Sequence, residues 1–361
     1  RLGLKQPTHQ PKATEVMDEI ISLIKTLVDN GNAYAVGGDV YFWQQSLPEY
    51  GSLSGKKIED QKTGARVEEN TQKRHPADFT LWKNSKPGEP QWDSPWGKGR
   101  PGWHSECVVM SQKYLGETFD IHGGGVDLVF PHHENEMAQA LAITGKPLAN
   151  YWMHNGFLNI EGEKMSKSLK NFYTARDILS EYDAEVIRFF FLSKHYRSPI
   201  DFNRELIEES DRALKNIYSS LRDIDYLNLS KTDISGNLDN YRQQFTEAMD
   251  DDFNTAKAIA TLFELSNYIK NVNMETGMRQ AAAILLVELG GALGFFQNLA
   301  EKLNPKLDSL ANDLIDLIIS YRLQARSEKN WAQSDKIRDD LNALGIELKD
   351  TKDGCIWKLK D

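Results

Sequence analysis

The sequence predicts an α/β layered domain followed by an α-helical bundle and a small α+β unit, and three observations carry that expectation. Between Trp103 and Phe202, short strand-like runs (TFDIHGGG, YWMHNGFLNI) alternate with helix-like ones (GWHSECVVMSQKYLG, PHHENEMAQALAIT, DAEVIRFFFLSKH). Such alternation points to a parallel sheet whose ligands sit at the carboxyl ends of its strands. From Arg204 to Leu303 nearly every apolar residue recurs at helical spacing, with a helix start at DDDFNTAKAIATLF, where Asp and Asn cluster before the apolar run. After Pro305 a long helical stretch runs into a short β-like tail, IELKDTKDGCIWKLKD, which reads as a helix pair with a hairpin. A chain of 361 residues is long enough for two or three such domains.

Ahead of these regions, Met17, Ile20, Ile21, Ile24, Leu27 and Val28 are spaced as one face of a helix over Thr14–Asn30, with Thr14 as N-cap and Asn30-Gly31 as the stop. AYAV and VYFW then flank a Gly37-Gly38-Asp39 turn and read as a β-hairpin. From Ser46 to Gly102 the chain is irregular and rich in Gly, Pro, Lys and Trp, with only DFTLWK resembling a strand. A segment of that kind usually builds a site or an insertion.

The net charge of −10 argues against a protein that holds nucleic acid by bulk electrostatics, although a local groove can be basic on an acidic protein. The two cysteines, Cys107 and Cys355, cannot form a disulfide framework and suit a reducing compartment, so a cytoplasmic location is expected. The most apolar stretch, Ala281 to Phe296, has 16 residues and contains Glu288. It falls short of the ~20 residues of a membrane span and reads as a buried bundle helix. The first residues are polar and lack the apolar core of a secretory signal.

Three constellations can carry chemistry. Cys107 is followed by PHHENE, where His132 and Glu136 stand four apart and would share one face of a helix. Zinc takes cysteine sulfur, histidine nitrogen and carboxylate oxygen, so Cys107, His132 and Glu136 would fill three of its four positions. His133 and Glu134 compete for the same roles, and polar residues in a helix's first turn would look alike without a metal. The second constellation is HGGGVD, directly after the strand-like TFDI. Glycines there admit a ligand close to the backbone, and Asp127 can accept from ribose hydroxyls, while a tight turn would use the same residues. The third is EKMSKS, whose Lys164 and Lys167 suit stabilisation of polyphosphate charge.

KMSKS is the signature loop of class I aminoacyl-tRNA synthetases, and with it the other strings converge. GARVE, DFTLWK, SPWGKGRPGWHSEC, FDIHGGGVDLVFPHHENE, YWMHNGFL, EKMSKS, HYRSPIDF and MDDDFNTA, in this order, resemble the cysteinyl-tRNA synthetase family. The resemblance implies a partial Rossmann-type catalytic domain with an insertion over 1–160 and a KMSKS loop with a stem-contact region over 161–203. A helical bundle over 204–303 and an anticodon-binding domain over 304–361 would complete the chain. It further implies one zinc per chain on Cys107, His132 and Glu136, with His133 a neighbour, and ATP as substrate with Mg2+. Trp103 would lie against the amino acid, Gly124, Gly125 and Asp127 would border the adenosine, and Lys167, helped by Lys164, would stabilise the pyrophosphate. Arg326, Trp331, Asp335 and Arg338, with Asp350 in the tail, would read the anticodon, an exposed Trp beside Arg being suited to unstacked bases. A buried core position is the competing expectation for Trp331.

The implied activity is activation of L-cysteine by ATP and its transfer to cysteine tRNA, by a monomer that does not engage membranes. The family also places a His-Ile-Gly-His-type nucleotide motif and a fourth zinc ligand ahead of the region that aligns with Arg1, so the chain as written is expected to be an incomplete form. Two other functions share these motifs: a relative that passes cysteine to an amino sugar, and a non-catalytic tRNA-binding fragment. The C-terminal unit disfavours the first, and the metal and KMSKS motifs disfavour the second.

Overall fold

The computed structural model describes residues 2–56, 72–160, 163–164, 174–222, 224, 237–271, 274–303, 305–351 and 354–359. GARVE and most of the KMSKS loop, including Lys167, lie outside the described residues. The chain divides into two compact units: Arg1–Ser210 with Ala248–Ala256, and Asp211–Glu247 with Lys257–Asp361.

The first unit opens with helix α1, Met17–Asp29, whose buried face is Met17, Ile20, Leu23, Ile24 and Leu27. Full burial of a side chain such as Ile20, Ile24 or Leu27 is worth about 1.5–3 kcal/mol of apolar transfer. Thr14 does not cap this helix. It lies in a 3-10 turn, Ala13–Glu15, and the N-cap is Val16, which offers no side-chain hydrogen bond. Strands β1 (Ala33–Val36) and β2 (Asp39–Phe42) form the expected hairpin, with Gly37 and Gly38 at φ 61° and 89°, the left-handed pair that a tight two-residue loop requires.

The segment from Ser46 to Gly102 extends that hairpin into an antiparallel sheet through the expected DFTLWK strand and one further strand. β3 (Phe79–Asn84) pairs with β2, and β4 (Gly99–Pro101) pairs with β3, giving the order β1-β2-β3-β4. β4 reads Gly-Arg-Pro and escapes pattern recognition because backbone proximity forms it. A Cβ on Gly99 would lie 2.3 Å from the Trp82 ring nitrogen, and one on Gly102 would lie 2.0 Å from the Thr80 carbonyl oxygen.

Next come helix α2 (Trp103–Leu115), strand β5 (Phe119–Gly125), helix α3 (Glu134–Thr144) and strand β6 (Ala149–Asn155), with β5 and β6 paired in parallel. One apolar cluster joins α1, β1–β3, α2, α3 and the starts of β5 and β6, through residues such as Trp82, Val108, Ala140 and Leu148. Beyond it, β7 (Leu158–Ile160) pairs with β8 (Glu163–Lys164) on one side and in parallel with β9 (Ile200–Phe202) on the other. Helix α4 (Ala175–Glu181) starts at a capping box of Thr174 and Asp177, and α5 (Ala184–Leu192) at the Asp183 cap.

The helical remainder comprises α6 (Arg204–Ser219), α7 (Asn237–Asp250), α8 (Thr255–Ile269), α9 (Thr276–Ala292), α10 (Leu299–Leu303), α11 (Pro305–Ser327) and α12 (Trp331–Ala343). The apolar run from Ala281 supplies the buried face of α9, and no helix among the described residues is long and apolar enough to cross a membrane. Strands β10 (Ile346–Thr351) and β11 (Gly354–Leu359) form the C-terminal hairpin, and Ile319, Leu341 and Ile346 form a small core with Leu348 and Trp357.

Because Gly102 carries the chain from β4 into α2 against the backbone of β3, Gly102→Ala is expected to destabilise the first unit by about 1–3 kcal/mol. A lowered urea midpoint checks this.

Candidate active site

α2 and α3 pack side by side, and their facing positions bring Cys107 and Glu136 together. Glu136 is 3% exposed, and burial pushes its carboxyl up to about 7 despite a hydrogen bond with the Cys107 thiol. The same burial, reinforced by Glu136, pushes Cys107 up to about 12. One Glu136 oxygen, Oε2, is buried without a hydrogen-bond partner among the described residues, and the Nε2 of His122 lies 3.3 Å from it. A buried carboxylate in that position is costly unless a proton or a cation joins it.

Five histidines surround this pair. His133 Nδ1 lies 2.9 Å from His154 Nε2, and His122 stacks on Trp152 at 4.6 Å. His104 Nε2 lies 3.0 Å from His132 Nδ1. Burial holds His104 and His122 down to about 4 and His133 to about 3, and also lowers His154, so these rings are neutral donors at neutral pH.

The expected i, i+4 pairing of His132 with Glu136 assumes an α-helix from Pro131. The chain instead kinks within Val129–His133, where Phe130 is non-helical at φ −138° and ψ 130°, and α3 begins at Glu134. His132 therefore faces His104 and Trp103, while His122, His133 and Glu136 bring their ligand atoms within 4.8 Å of one another. Glu134 is engaged elsewhere: its two oxygens accept the backbone N–H groups of Gly51 at 2.9 Å and Ser54 at 2.8 Å. Asn135 likewise accepts from the Tyr50 hydroxyl at 2.6 Å.

Gly124 and Gly125 belong to the end of β5 rather than to a turn, and Asp127 is exposed in the 3-10 turn that follows. A Cβ on Gly124 would come within 2.7 Å of the His133 ring, so this glycine also makes room for the histidine. Trp103, 72% exposed at the start of α2, has its ring 6.3 Å from that of His132. Lys164 ends β8. His104, His122, Trp152 and His154 were not among the candidate residues read from the sequence. Their signal was present, since each lies inside a quoted motif, but only the pairing of β5 with β6 brings His122 to Trp152 and His154, and only the packing of α2 on α3 brings His104 to the site.

In the second unit, Asp350 gathers three arginines. Arg322 is fully buried and bidentate to it at 2.7 and 3.1 Å, while Arg326 and Arg338 each donate to Oδ2 at 2.6 Å. They hold the Asp350 carboxyl well below the usual carboxylate range. Trp331 is 57% exposed at the first turn of α12, so it is not a core residue, and Asp335 is exposed one turn further on. Arg322 is the member of this cluster that sequence reading did not single out.

Residues 1–212 match the family model described as tRNA synthetases class I (C) catalytic domain, and residues 244–297 match the DALR domain. The chain is 48% identical to a cysteine–tRNA ligase of Geotalea daltonii over 100% of its length and 79% of that protein. It is 49% identical to the cysteine–tRNA ligase of Geobacter sulfurreducens over 99% of its length and 79% of that protein. Among solved structures, a chain described as an arginyl-tRNA synthetase from Campylobacter jejuni shares the fold with a TM-score of 0.51 at 14% identity, covering 81% of this chain and 63% of that one.

With no metal bound, the buried rings are expected to make the protein acid-labile. The contribution of His104, His122 and His133 is present above the ordinary histidine value of 6.5 and is lost as pH falls towards about 4, 4 and 3 respectively. Glu136 acts oppositely, its contribution being full below the ordinary carboxylate value of 4.5 and lost as pH rises through about 7. With three groups against one, lowering pH from about 7 to about 5 is expected to remove on the order of 2 kcal/mol from the chelator-treated protein. Urea midpoints at the two pH values measure it.

Proposed function

The chain belongs to the class I cysteine–tRNA ligase family, and on that premise we propose how its residues perform the joining of cysteine to its tRNA. The family reaction is ATP-dependent: the amino-acid carboxylate attacks the α-phosphate of ATP, pyrophosphate leaves, and the cysteinyl group then passes to a terminal ribose hydroxyl of tRNA. Mg2+ accompanies the nucleotide, and the enzyme works as a cytoplasmic monomer.

Selecting cysteine over serine is the demanding step, because pocket contacts alone separate small side-chain differences by only about 10–200-fold. The observation that carries the site reading is the unpartnered, buried Oε2 of Glu136 beside the Cys107 thiol and a set of neutral imidazoles. These donors fit zinc. Cys107, His132 and Glu136 would hold the ion, and when bound it would lower the substrate thiol's pKa and select the thiolate over a serine hydroxyl, which stays protonated. The His104 contact at Nδ1 of His132 supports this set, since a ligating imidazole is commonly oriented through its other ring nitrogen, here leaving Nε2 for the metal. The clustering of His122, His133 and Glu136 favours a second ligand set, in which His132 only orients.

Trp103, exposed beside His132, would cover the amino acid and exclude water. Gly124, Gly125 and Asp127 at the carboxyl end of β5 would border the adenosine, where a parallel sheet receives its ligand. Lys164 and Lys167 would neutralise charge on the departing pyrophosphate. In the C-terminal unit, exposed Trp331 and Asp335 and the Asp350-centred Arg326 and Arg338 would read the anticodon by stacking and hydrogen bonding. That surface supports a tRNA acceptor over an amino sugar.

The two ligand sets separate by metal content. In the full-length enzyme, His132→Ala is expected to weaken zinc retention by at least about tenfold while His133→Ala keeps the metal, read by atomic absorption. The reverse pattern would transfer the site to His122, His133 and Glu136. Trp331→Ala is expected to weaken charging of cysteine tRNA by about tenfold, corresponding to one stacked base, with cysteine-dependent ATP–pyrophosphate exchange unchanged. Unaltered charging would remove Trp331 from the interface.

A further inference from the structure

Two motifs remain outside the proposed chemistry, HYRSPIDF and MDDDFNTA, and the fold brings them into contact. Between α7 and α8 the chain passes through Asp252 and Phe253 at φ 54° and 53°, two consecutive non-glycine residues in the left-handed region that L-residues avoid. This turn presents the Asp252 carboxylate to the loop that follows α5. The Tyr196 hydroxyl donates to Oδ1 at 2.7 Å, Arg197 donates to Oδ1 through Nη2 at 3.1 Å and to Oδ2 through Nε, and His195 Nε2 lies 3.7 Å from Oδ2. Thr255, at the start of α8, adds a hydrogen bond to the Leu192 carbonyl at 2.8 Å.

The other side of the same loop holds the end of β6. The Gly156 N–H donates to the Tyr196 carbonyl at 2.8 Å, and the approach is so close that a Cβ on Gly156 would stand 2.5 Å from the Ser198 backbone. Gly156 directly follows His154 and Asn155, and His154 is the ring that meets His133 at 2.9 Å, behind Glu136. An ordinary exposed ion pair contributes little. Here two side chains converge on one carboxylate from a strained turn, and the loop they anchor is bonded through its backbone to an active-site strand.

We propose that Asp252 is a positioning residue for the active site: by anchoring Tyr196 and Arg197 it sets where β6 ends, and hence the placement of His154 against His133. The inference rests on the reading of the Glu136 cluster as the cysteine site. It explains why a strained turn carries an acidic residue with its partners in HYRSP, a pairing that sequence separation conceals.

The test uses the full-length enzyme, with cysteine-dependent ATP–pyrophosphate exchange as the assay. Asp252→Asn is expected to lower kcat about tenfold, with KM for ATP and zinc content within about twofold of wild type, because misplacement of a supporting group affects the rate more than binding. Arg197→Gln should do the same, and the double variant should be no worse than the more damaging single one. An unchanged kcat in Asp252→Asn, losses that multiply in the double variant, or a loss accompanied by zinc release and a proportionate fall in Tm would each overturn the positioning role. If Asp252→Asn does not fold, Tyr196→Phe decides: a kcat loss of about threefold at constant KM supports the proposal and wild-type kinetics overturn it. Absence of exchange in the wild-type enzyme would instead overturn the cysteine-site reading itself.

Discussion

The contact between the Cys107 thiol and the buried Glu136 carboxylate is the constraint around which the first unit is organised. It places an ionisable oxygen at 3% exposure between two packed helices, where neither a bare charge nor an unpaired polar atom is tolerated cheaply. The surroundings answer with neutral imidazoles rather than with a lysine or arginine. That choice keeps the donors uncharged, as the zinc and substrate thiolate proposed for this site would require.

Much of the neighbouring polar structure serves to hold this pair in place. Glu134 ties α3 to the turn at Gly51–Ser54, Asn135 ties it to Tyr50, and Gln139 accepts from Ser105 of α2 at 2.8 Å. One turn of sequence, HHENE, thus supplies residues with different duties in adjacent positions. Three residues, Glu134, Asn135 and Glu136, are all buried, yet only the last points its carboxylate at Cys107.

The C-terminal unit applies the opposite principle. Its central carboxylate, Asp350, is saturated by three arginines, and the fully buried Arg322 fixes the orientation from which Arg326 and Arg338 reach the surface. A small core built on Ile319, Leu341 and Ile346 leaves Trp331 outside it.

The amino-acid order alone determined the order of the elements, the α1 face, the β1–β2 hairpin, the helical second half and the motifs that mark the family, because periodicity and turn chemistry are local properties. It also contained every residue of the candidate site. Only the tertiary structure decided which of them meet. β4 forms because Gly99 and Gly102 permit backbone contact with β3, which no side-chain pattern announces. His132 turns towards His104 because the chain kinks at Phe130 ahead of α3, and a His132–Glu136 pair read on an ideal helix cannot reveal that kink. Arg197 finds Asp252 across 55 residues because a left-handed turn aims the carboxylate, and such long-range partners are fixed by packing rather than by spacing.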